Sequence, residues 1–478
     1  MLPSEQIDCE SISHLDTGQQ KSLLDTLDKY AECFVDRPGY TEVVTHKIML
    51  KDGFKPKRLP AYRIPEELKS EVDKQIQEML KNGVIRTSTS SMASPLICVL
   101  KNRNGCNGIR LAVDYRYVNS YTHDDAYPLP DLQTIFQKVG RSNWISVCDC
   151  RSGYWALPMF EDHKSLTAFV CDAGVFEFNR APFGLKGSGC SFVRAITEIL
   201  RSVKDFTDSF VDGVAVHSDV WKEHICHIDN FLAKIQSSGL TVNLKKCKWA
   251  QNQVKFCGKI IGSGKQFADP EKLQVVREME PPKTKKELRR ILGFFSHFRG
   301  HVQDFARVAI PLTDLTSKRY HIAVSWDESQ QQAFDELKCL LQKATEEPLY
   351  TIDFSKPFNL FVDASSFMVA AALTQTDPKG NELPIAFSST KLDATQNKWS
   401  TIEKEALAAL IALKRYRTWL FSSKVTLFSD HNPLSYLKES APKSAKLIRW
   451  SLALSEFQLE FKYHPGKKKN GGGLFVTP

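Results

Sequence analysis

No two of the twelve cysteines form a CxxC pair, which removes the commonest zinc and redox spacings. The nearest approach to a metal half-site is His224, Cys226 and His227, and no second pair stands at usable spacing. The remaining cysteines sit in apolar runs such as "LICVL" and "ISVCDC", where a free thiol behaves as a small hydrophobe. Reduced thiols in a reducing compartment follow. No run approaches the roughly 18 uninterrupted apolar residues of a membrane helix, so no membrane partner is expected. The opening "MLPSEQIDCESISHLD" is polar and acidic, unlike a secretory leader, which predicts an intracellular protein. Internal repeats and low-complexity tracts are missing as well.

What is present is an ordinary globular composition, 42% hydrophobic and 25% charged, in 478 residues. That length exceeds a single hydrophobic core and suggests about three domains. The formal charge is +9, and it is not evenly spread. Thr241 to Tyr320 holds 17 Lys and Arg against 7 Asp and Glu, a net +10 that accounts for the whole basic excess. Such a localised excess suits either a solvated helical face or a surface that tracks nucleic acid.

The segment "IPEELKSEVDKQIQEMLKNGVI" places Leu68, Val72, Ile76 and Leu80 on one helical face, with Gly83 ending it. "SPLICVLK" and "IRLAVDYR" flank a Gly/Asn-rich turn and predict a hairpin. "NWISVCDC" is apolar almost throughout, as in a strand buried on both faces. "TAFVCDAGVFEFNR" predicts a second hairpin and "FTDSFVDGVAVHS" a third, turning near Asp212-Gly213. Helices are expected at 186–203 and 222–238. Residues 266–345 are mainly helical by pattern, with a capping box from Thr284 to Glu287 and Lys285, Lys286, Arg289 and Arg290 off the apolar face. From about Leu349 a strand pair, a strong helix and another strand form a separate α/β unit.

Two aspartates end buried β runs, Asp149 in "ISVCDCRSGY" and Asp212 in "FVDG". A carboxylate there is costly to bury unpaired. If the runs are neighbours in one sheet, both carboxylates meet at one edge and share divalent cations, as two-metal phosphoryl transfer requires. Magnesium suits a few carboxylates completed by phosphates and waters. The alternative is a pair of turn-forming aspartates.

The segments "DCRSGY", "APFGLKGSGCSF" and "FVDG" together resemble the reverse transcriptase of gypsy-type LTR retrotransposons. "GVIRTSTSSMASPLICVLK", "IRLAVDYRYVN", "GLTVNLKKCKWAQNQVKFCGKII" and "ADPEKLQVVREMEPPKTKKELRRILGFFSHFR" follow that family in its order, and the resemblance spans residues 20–470. It implies an α+β fold: a right-hand polymerase followed by a connection and an α/β RNase H-like domain. The expected layout is an N-terminal segment 1–55, fingers and palm 56–265, a basic helical thumb 266–345 and an RNase H-like domain 346–478. The implied activity is RNA-directed DNA synthesis with hydrolysis of the RNA of hybrids. RNA template, DNA primer, RNA–DNA hybrid and dNTPs are the implied partners, with protease and integrase products of a longer polyprotein beside them. Mg2+ is the implied cofactor, with Mn2+ as substitute.

The resemblance makes Asp149 and Asp212 metal-binding acids of the polymerase site, joined by the carbonyl of Cys150. Tyr154 matches the aromatic beneath the incoming sugar, and Phe183 flanks the nucleotide pocket. Lys101 and Arg110 match residues that grip the triphosphate. Phe256-Cys257-Gly258 resembles the primer-grip hairpin. In the second domain Asp363, Glu405 and Asp430 match three of four RNase H acids. Glu403 has capping-box spacing from Ser400, which leaves Glu405 to face the strand carboxylates.

Two departures set the chain apart. The second aspartate of the family's YxDD is Gly213 here, and "NGGGLFVTP" lacks the Ala-Asp pair that carries the fourth RNase H acid. Both sites are expected to be one carboxylate short, with a catalytically impaired nucleic-acid binder as the alternative function.

Overall fold

The computed structural model describes residues 2–100, 108–317, 326–432 and 445–464. The chain divides into two compact units, Met1–Val254 and Lys255–Pro478. None of the described helices is long and apolar enough to cross a membrane.

The strands of the first unit are β1 (Ile85–Thr87), β2 (Ser94–Leu100), β3 (Ile109–Val113), β4 (Trp144–Asp149), β5 (Phe169–Cys171), β6 (Gly174–Phe178), β7 (Thr207–Phe210), β8 (Gly213–Ser218) and β9 (Lys248–Gln251). They make two sheets, ordered β1-β6-β5-β2-β3 and β7-β8-β4-β9. The β2–β3 and β5–β6 hairpins form as the alternation predicts, in antiparallel register. In the second sheet β4 lies between β8 and β9, and its nearly continuous apolar pattern fits this central place. The helices Ser188–Leu200 and Trp221–Ser237 bury Phe192, Ile196, Phe231 and Leu232 in the same core as Cys148, Val214 and Val216. Glu66–Lys81 buries Val72 and Ile76 on its predicted face. Gly83 follows with φ +62°, the left-handed conformation glycine adopts without steric cost.

The third hairpin differs from expectation in one detail. Its two turn residues are Val211 and Asp212, while Gly213 already opens β8 opposite Phe210. Val211 takes φ +55°, and Gly213 is not among the residues of positive φ. The β-branched residue carries the strain that an Asp-Gly turn would have placed on glycine.

The second unit has two sheets. One orders β10 (Val254–Phe256), β11 (Lys259–Gly262), β12 (Lys265–Ala268) and β13 (Leu349–Tyr350) in sequence, with Cys257 and Gly258 turning the first hairpin at φ +47° and +85°. The helices Pro270–Arg277, Lys285–His297, Phe305–Asp314 and Glu328–Lys343 follow around Leu288, Phe295, Phe298 and Phe334. Thr284 caps Lys285–His297, and Glu287 closes the expected capping box.

The other sheet orders β16 (Glu382–Lys391), β15 (Met368–Thr376), β14 (Phe358–Ala364), β17 (Lys424–Ser429) and β18 (Gln458–Tyr463). β14 pairs antiparallel with β15 and parallel with β17, so the ends of β14 and β17 that carry acids point the same way. The helix Thr401–Arg415 packs on this sheet through Ala406, Ala409 and Leu413.

Candidate active sites for polymerisation and hybrid cleavage

Asp149 is the last residue of β4 and stands directly opposite Gly213 of β8. Beyond it the chain stays joined to the hairpin, because the Cys150 amide donates to the Asp212 carbonyl at 2.9 Å. Two adjacent β termini thus bring Asp149 and Asp212 to one sheet edge. Asp212 is exposed on its turn, and Asp149 is partly so. Cys150 itself is buried, and burial together with the charges of Asp212 and Asp149 pushes its thiol well up.

Lys246 shares this edge, and the sequence offered no sign of it. Its ammonium lies 3.2 Å from Asp149 Oδ1 and 3.4 Å from Oδ2. The turn that carries it is tied to the same residue, since the Asn243 amide donates to the Asp149 carbonyl at 2.9 Å. In "NLKKCKW" it is one of three lysines, and nothing local marks it out.

Behind the acids lies an aromatic group. Tyr154 follows Ser152, whose φ of +46° turns the chain into a short 3-10 helix. The rings of Tyr154 and Phe183 are 5.0 Å apart, and Trp155 approaches Phe183 at 5.6 Å. Burial raises the Tyr154 phenol, and the Asp212 charge adds to this, which links the aromatic group to the acids. Gly153 is required by packing: a Cβ there would lie 2.6 Å from the Phe192 ring. Gly189 leaves similar room, since a Cβ would meet the Tyr154 hydroxyl at 3.3 Å. Arg110 is exposed on β3, opposite Val99 of β2, and Lys101 lies outside the described residues.

The second acid set is built on β14, β17 and the helix Thr401–Arg415. Ser400 and Glu403 form the expected capping box, and Glu403 also pairs with Lys446 at 2.8 Å. Glu405, two residues on, is buried and turned to the strands. Its carboxylate accepts from the Ala364 amide at 2.8 Å and from Ser429 Oγ at 3.0 Å. Asp363 precedes Ala364, and Asp430 follows Ser429, so each bond fixes Glu405 beside one strand acid. Desolvation pushes Glu405 up to about 7, and the Asp430 and Asp363 charges add to this against the Ser429 bond. Asp363 is raised by desolvation and by Asp430. His431 Nδ1 is 2.8 Å from Asp430 Oδ1.

Among the described residues, no three His, Cys, Asp or Glu side chains stand close enough together to form a complete metal cage. His224 and His227 belong to a hydrogen-bond network instead. His224 contacts Ser146 Oγ at 2.9 Å and Ser218 Oγ at 3.0 Å, and His227 contacts Ser218 Oγ at 2.7 Å.

The basic helix is less free than its sequence suggests. Lys285 Nζ donates to the Ser317 carbonyl at 2.7 Å, and Arg289 to that of Thr316 at 3.0 Å. These two cations satisfy carbonyls just past the helix Phe305–Asp314, whereas Lys286 and Arg290 are exposed.

The family described as reverse transcriptase (RNA-dependent DNA polymerase) matches residues 99–261. The RNase H-like domain found in reverse transcriptase matches residues 353–457. Together they define the class, a reverse transcriptase domain followed by an RNase H-like domain.

The chain belongs to the Pol family of gypsy-type LTR retrotransposons. It is 36% identical over 420 residues to the retrovirus-related Pol polyprotein from transposon opus of Drosophila melanogaster, a match covering 85% of this chain and 42% of that protein. The corresponding polyprotein from transposon gypsy, of the same organism, is 29% identical over 485 residues, covering 96% and 46%. The Tf2-7 transposon polyprotein of Schizosaccharomyces pombe is 31% identical over 417 residues, covering 86% and 31%. The chain therefore spans less than half the length of these relatives. The α+β architecture is similar to that of foamy viral protease-reverse transcriptase. The structure of that protein with dsDNA gives a TM-score of 0.86 at 23% identity, covering 98% of both chains. Its complex with RNA/DNA hybrid gives 0.82, covering 100% of this chain and 66% of that one.

Proposed function

We propose that this chain synthesises DNA on an RNA or DNA template and hydrolyses the RNA of the resulting hybrid. The observation that carries the reading is the convergence of Asp149 and Asp212 on one sheet edge beside Tyr154 and Phe183. Each acid set gathers carboxylates at adjacent strand ends, a donor set that fits Mg2+ or Mn2+ completed by water and substrate phosphates. Burial is the main cause that raises Glu405 and Asp363, and the neighbouring acid charges add to it; a bound cation offsets that charge, which fits the same assignment. When bound, such cations supply Lewis-acid activation of the attacking oxygen and neutralise charge on the phosphate.

The chain's own residues supply placement. Asp149, Asp212 and the Cys150 carbonyl hold the primer end and the triphosphate in register. Tyr154 forms the floor under the incoming sugar and excludes a 2′-hydroxyl by crowding. Phe183 walls the pocket, while Arg110 and Lys101 orient the phosphates as a fork and a point charge. In the second site Ser429 and the Ala364 amide fix the Glu405 carboxylate toward the strand acids, so water attack is aligned with Asp363 and Asp430. Exposed Lys286 and Arg290 favour the duplex backbone.

A second reading, a catalytically impaired nucleic-acid binder, is favoured by Gly213 opposite Asp149, where the site holds one carboxylate fewer than the family pattern. Primer extension on poly(rA)/oligo(dT) with Mg2+ or Mn2+ separates the readings. Incorporation supports the polymerase. Salt-sensitive hybrid binding without incorporation supports the binder.

A further inference from the structure

The polymerase edge carries a cation of its own. The Lys246 ammonium lies within 3.4 Å of both Asp149 carboxylate oxygens. This is not a chance meeting of two long side chains. The Asn243 amide bonds the Asp149 carbonyl, the Lys246 amide bonds the Asn243 carbonyl at 2.9 Å, and Cys247 Sγ bonds the same carbonyl at 3.2 Å. Asp149 is therefore held at its backbone and its carboxylate by one short turn. The turn fixes where the Lys246 side chain starts but not its torsions, so the pair has the modest strength of an exposed ion pair.

The surrounding charge count gives this pair a consequence. Asp149 and Asp212 contribute two negative charges, Lys246 contributes one positive, and Gly213 contributes none. A divalent cation that binds both carboxylates meets an edge whose net charge is −1. The two Asp149 oxygens that would hold it already accept from an ammonium.

The geometry points to Lys246 as the resident counter-ion of the polymerase site, one that a divalent cation must displace from Asp149. The inference rests on the reading of Asp149 as a cation ligand. Lys246 is a positioning residue here: it keeps the Asp149 carboxylate aimed in the metal-free state and lowers the cation affinity of the edge. The Asp149 carboxylate stays ordered without the third acid of the family pattern, and affinity falls in exchange.

The test is Mn2+ binding to the full chain, read as loss of the free-ion paramagnetic resonance signal. A background with Asp363→Asn and Asp430→Asn removes two of the three acids of the second set. Lys246→Met is expected to tighten the remaining site about two- to five-fold, the range set by a half-exposed ion pair. Lys246→Arg keeps the charge and is expected to bind Mn2+ like the parent, which separates charge from side-chain removal. An unchanged dissociation constant in Lys246→Met, with Asp149→Asn still abolishing the site, overturns the counter-ion inference alone. If Asp149→Asn leaves the Mn2+ stoichiometry unchanged, the ligand assignment itself fails. Equal tightening in the Met and Arg variants also overturns the inference, because the effect then does not follow charge.

Discussion

Asp149 and Gly213 face each other across the β4–β8 ladder, so a side chain at 213 would share a sheet face with the Asp149 carboxylate. Gly213 has no left-handed backbone to defend, so its φ does not require glycine. Gly213→Asp is expected to raise Mg2+-dependent primer extension at limiting Mg2+ by tenfold or more, about 1.4 kcal/mol of transition-state stabilisation. Without divalent ions the variant places like charges opposite each other and should lose about 0.5–1 kcal/mol of stability. Equal extension rates in parent and variant across a Mg2+ titration would count against this account of the missing charge.

Glu405 gives a pH signature of its own. Its folded pKa of about 7 lies above the ordinary value of 4.5, so the folded protein holds a proton that the unfolded chain releases. The sign follows: the buried carboxyl favours folding below about 4.5, and this contribution is lost as pH rises through about 7. In chelator, Glu405→Gln should therefore gain stability relative to the parent between pH 5 and pH 8. Urea unfolding at both values reads the difference, and a gap that narrows with rising pH would refute it.

The buried histidines act in the opposite direction. Burial lowers His46 to about 4 and His224 to about 3, from 6.5. Both bind protons more readily when unfolded, so their contribution is present above 6.5 and lost as pH falls. At pH 5 each should cost about 2 kcal/mol relative to neutral pH. His224→Gln should lower stability at pH 7.5, where the Ser146 and Ser218 contacts weaken, and flatten the slope between pH 7.5 and 5. A slope unchanged in the variant would remove His224 from the explanation.

Gly153→Ala tests how the aromatic pocket is held. The added methyl would stand 2.6 Å from the Phe192 ring, in a fully buried place, and should cost about 1–3 kcal/mol. The adjacent Tyr154 would shift with it, so weaker rejection of ribonucleotides should accompany the loss. Steady-state incorporation of rNTP against dNTP measures this, and unaltered discrimination would detach Tyr154 from the sugar.

Much of this was written in the sequence, but unevenly. The continuous apolar run of β4 marked a central strand, and alternation marked the β2–β3 and β5–β6 hairpins. β16 was not legible: "ELPIAFSSTK" holds a proline and three hydroxyl residues, and its strand form comes from pairing with β15. Asp149 and Asp212 could be picked out as acids ending apolar runs, yet only the β4–β8 register brings them together. The Asp212-Gly213 turn was misplaced by one residue because a sequence rule favours glycine where the fold strains Val211 instead. Lys246 and Ser429 were invisible, since each acts through a partner remote in sequence, Asp149 and Glu405. The basic helix showed its charge but not that Lys285 and Arg289 are committed to carbonyls.

The central claim is that Asp149 and Asp212 form a working polymerase edge. Primer extension by the full chain on poly(rA)/oligo(dT) with Mg2+, compared with Asp149→Asn, tests it most directly. The account predicts measurable incorporation by the parent and a fall of at least about 10²-fold in the variant, as expected when a group acting on the transition state is removed. Incorporation by Asp149→Asn at the parent rate, or none by a parent that still binds the hybrid, would contradict it.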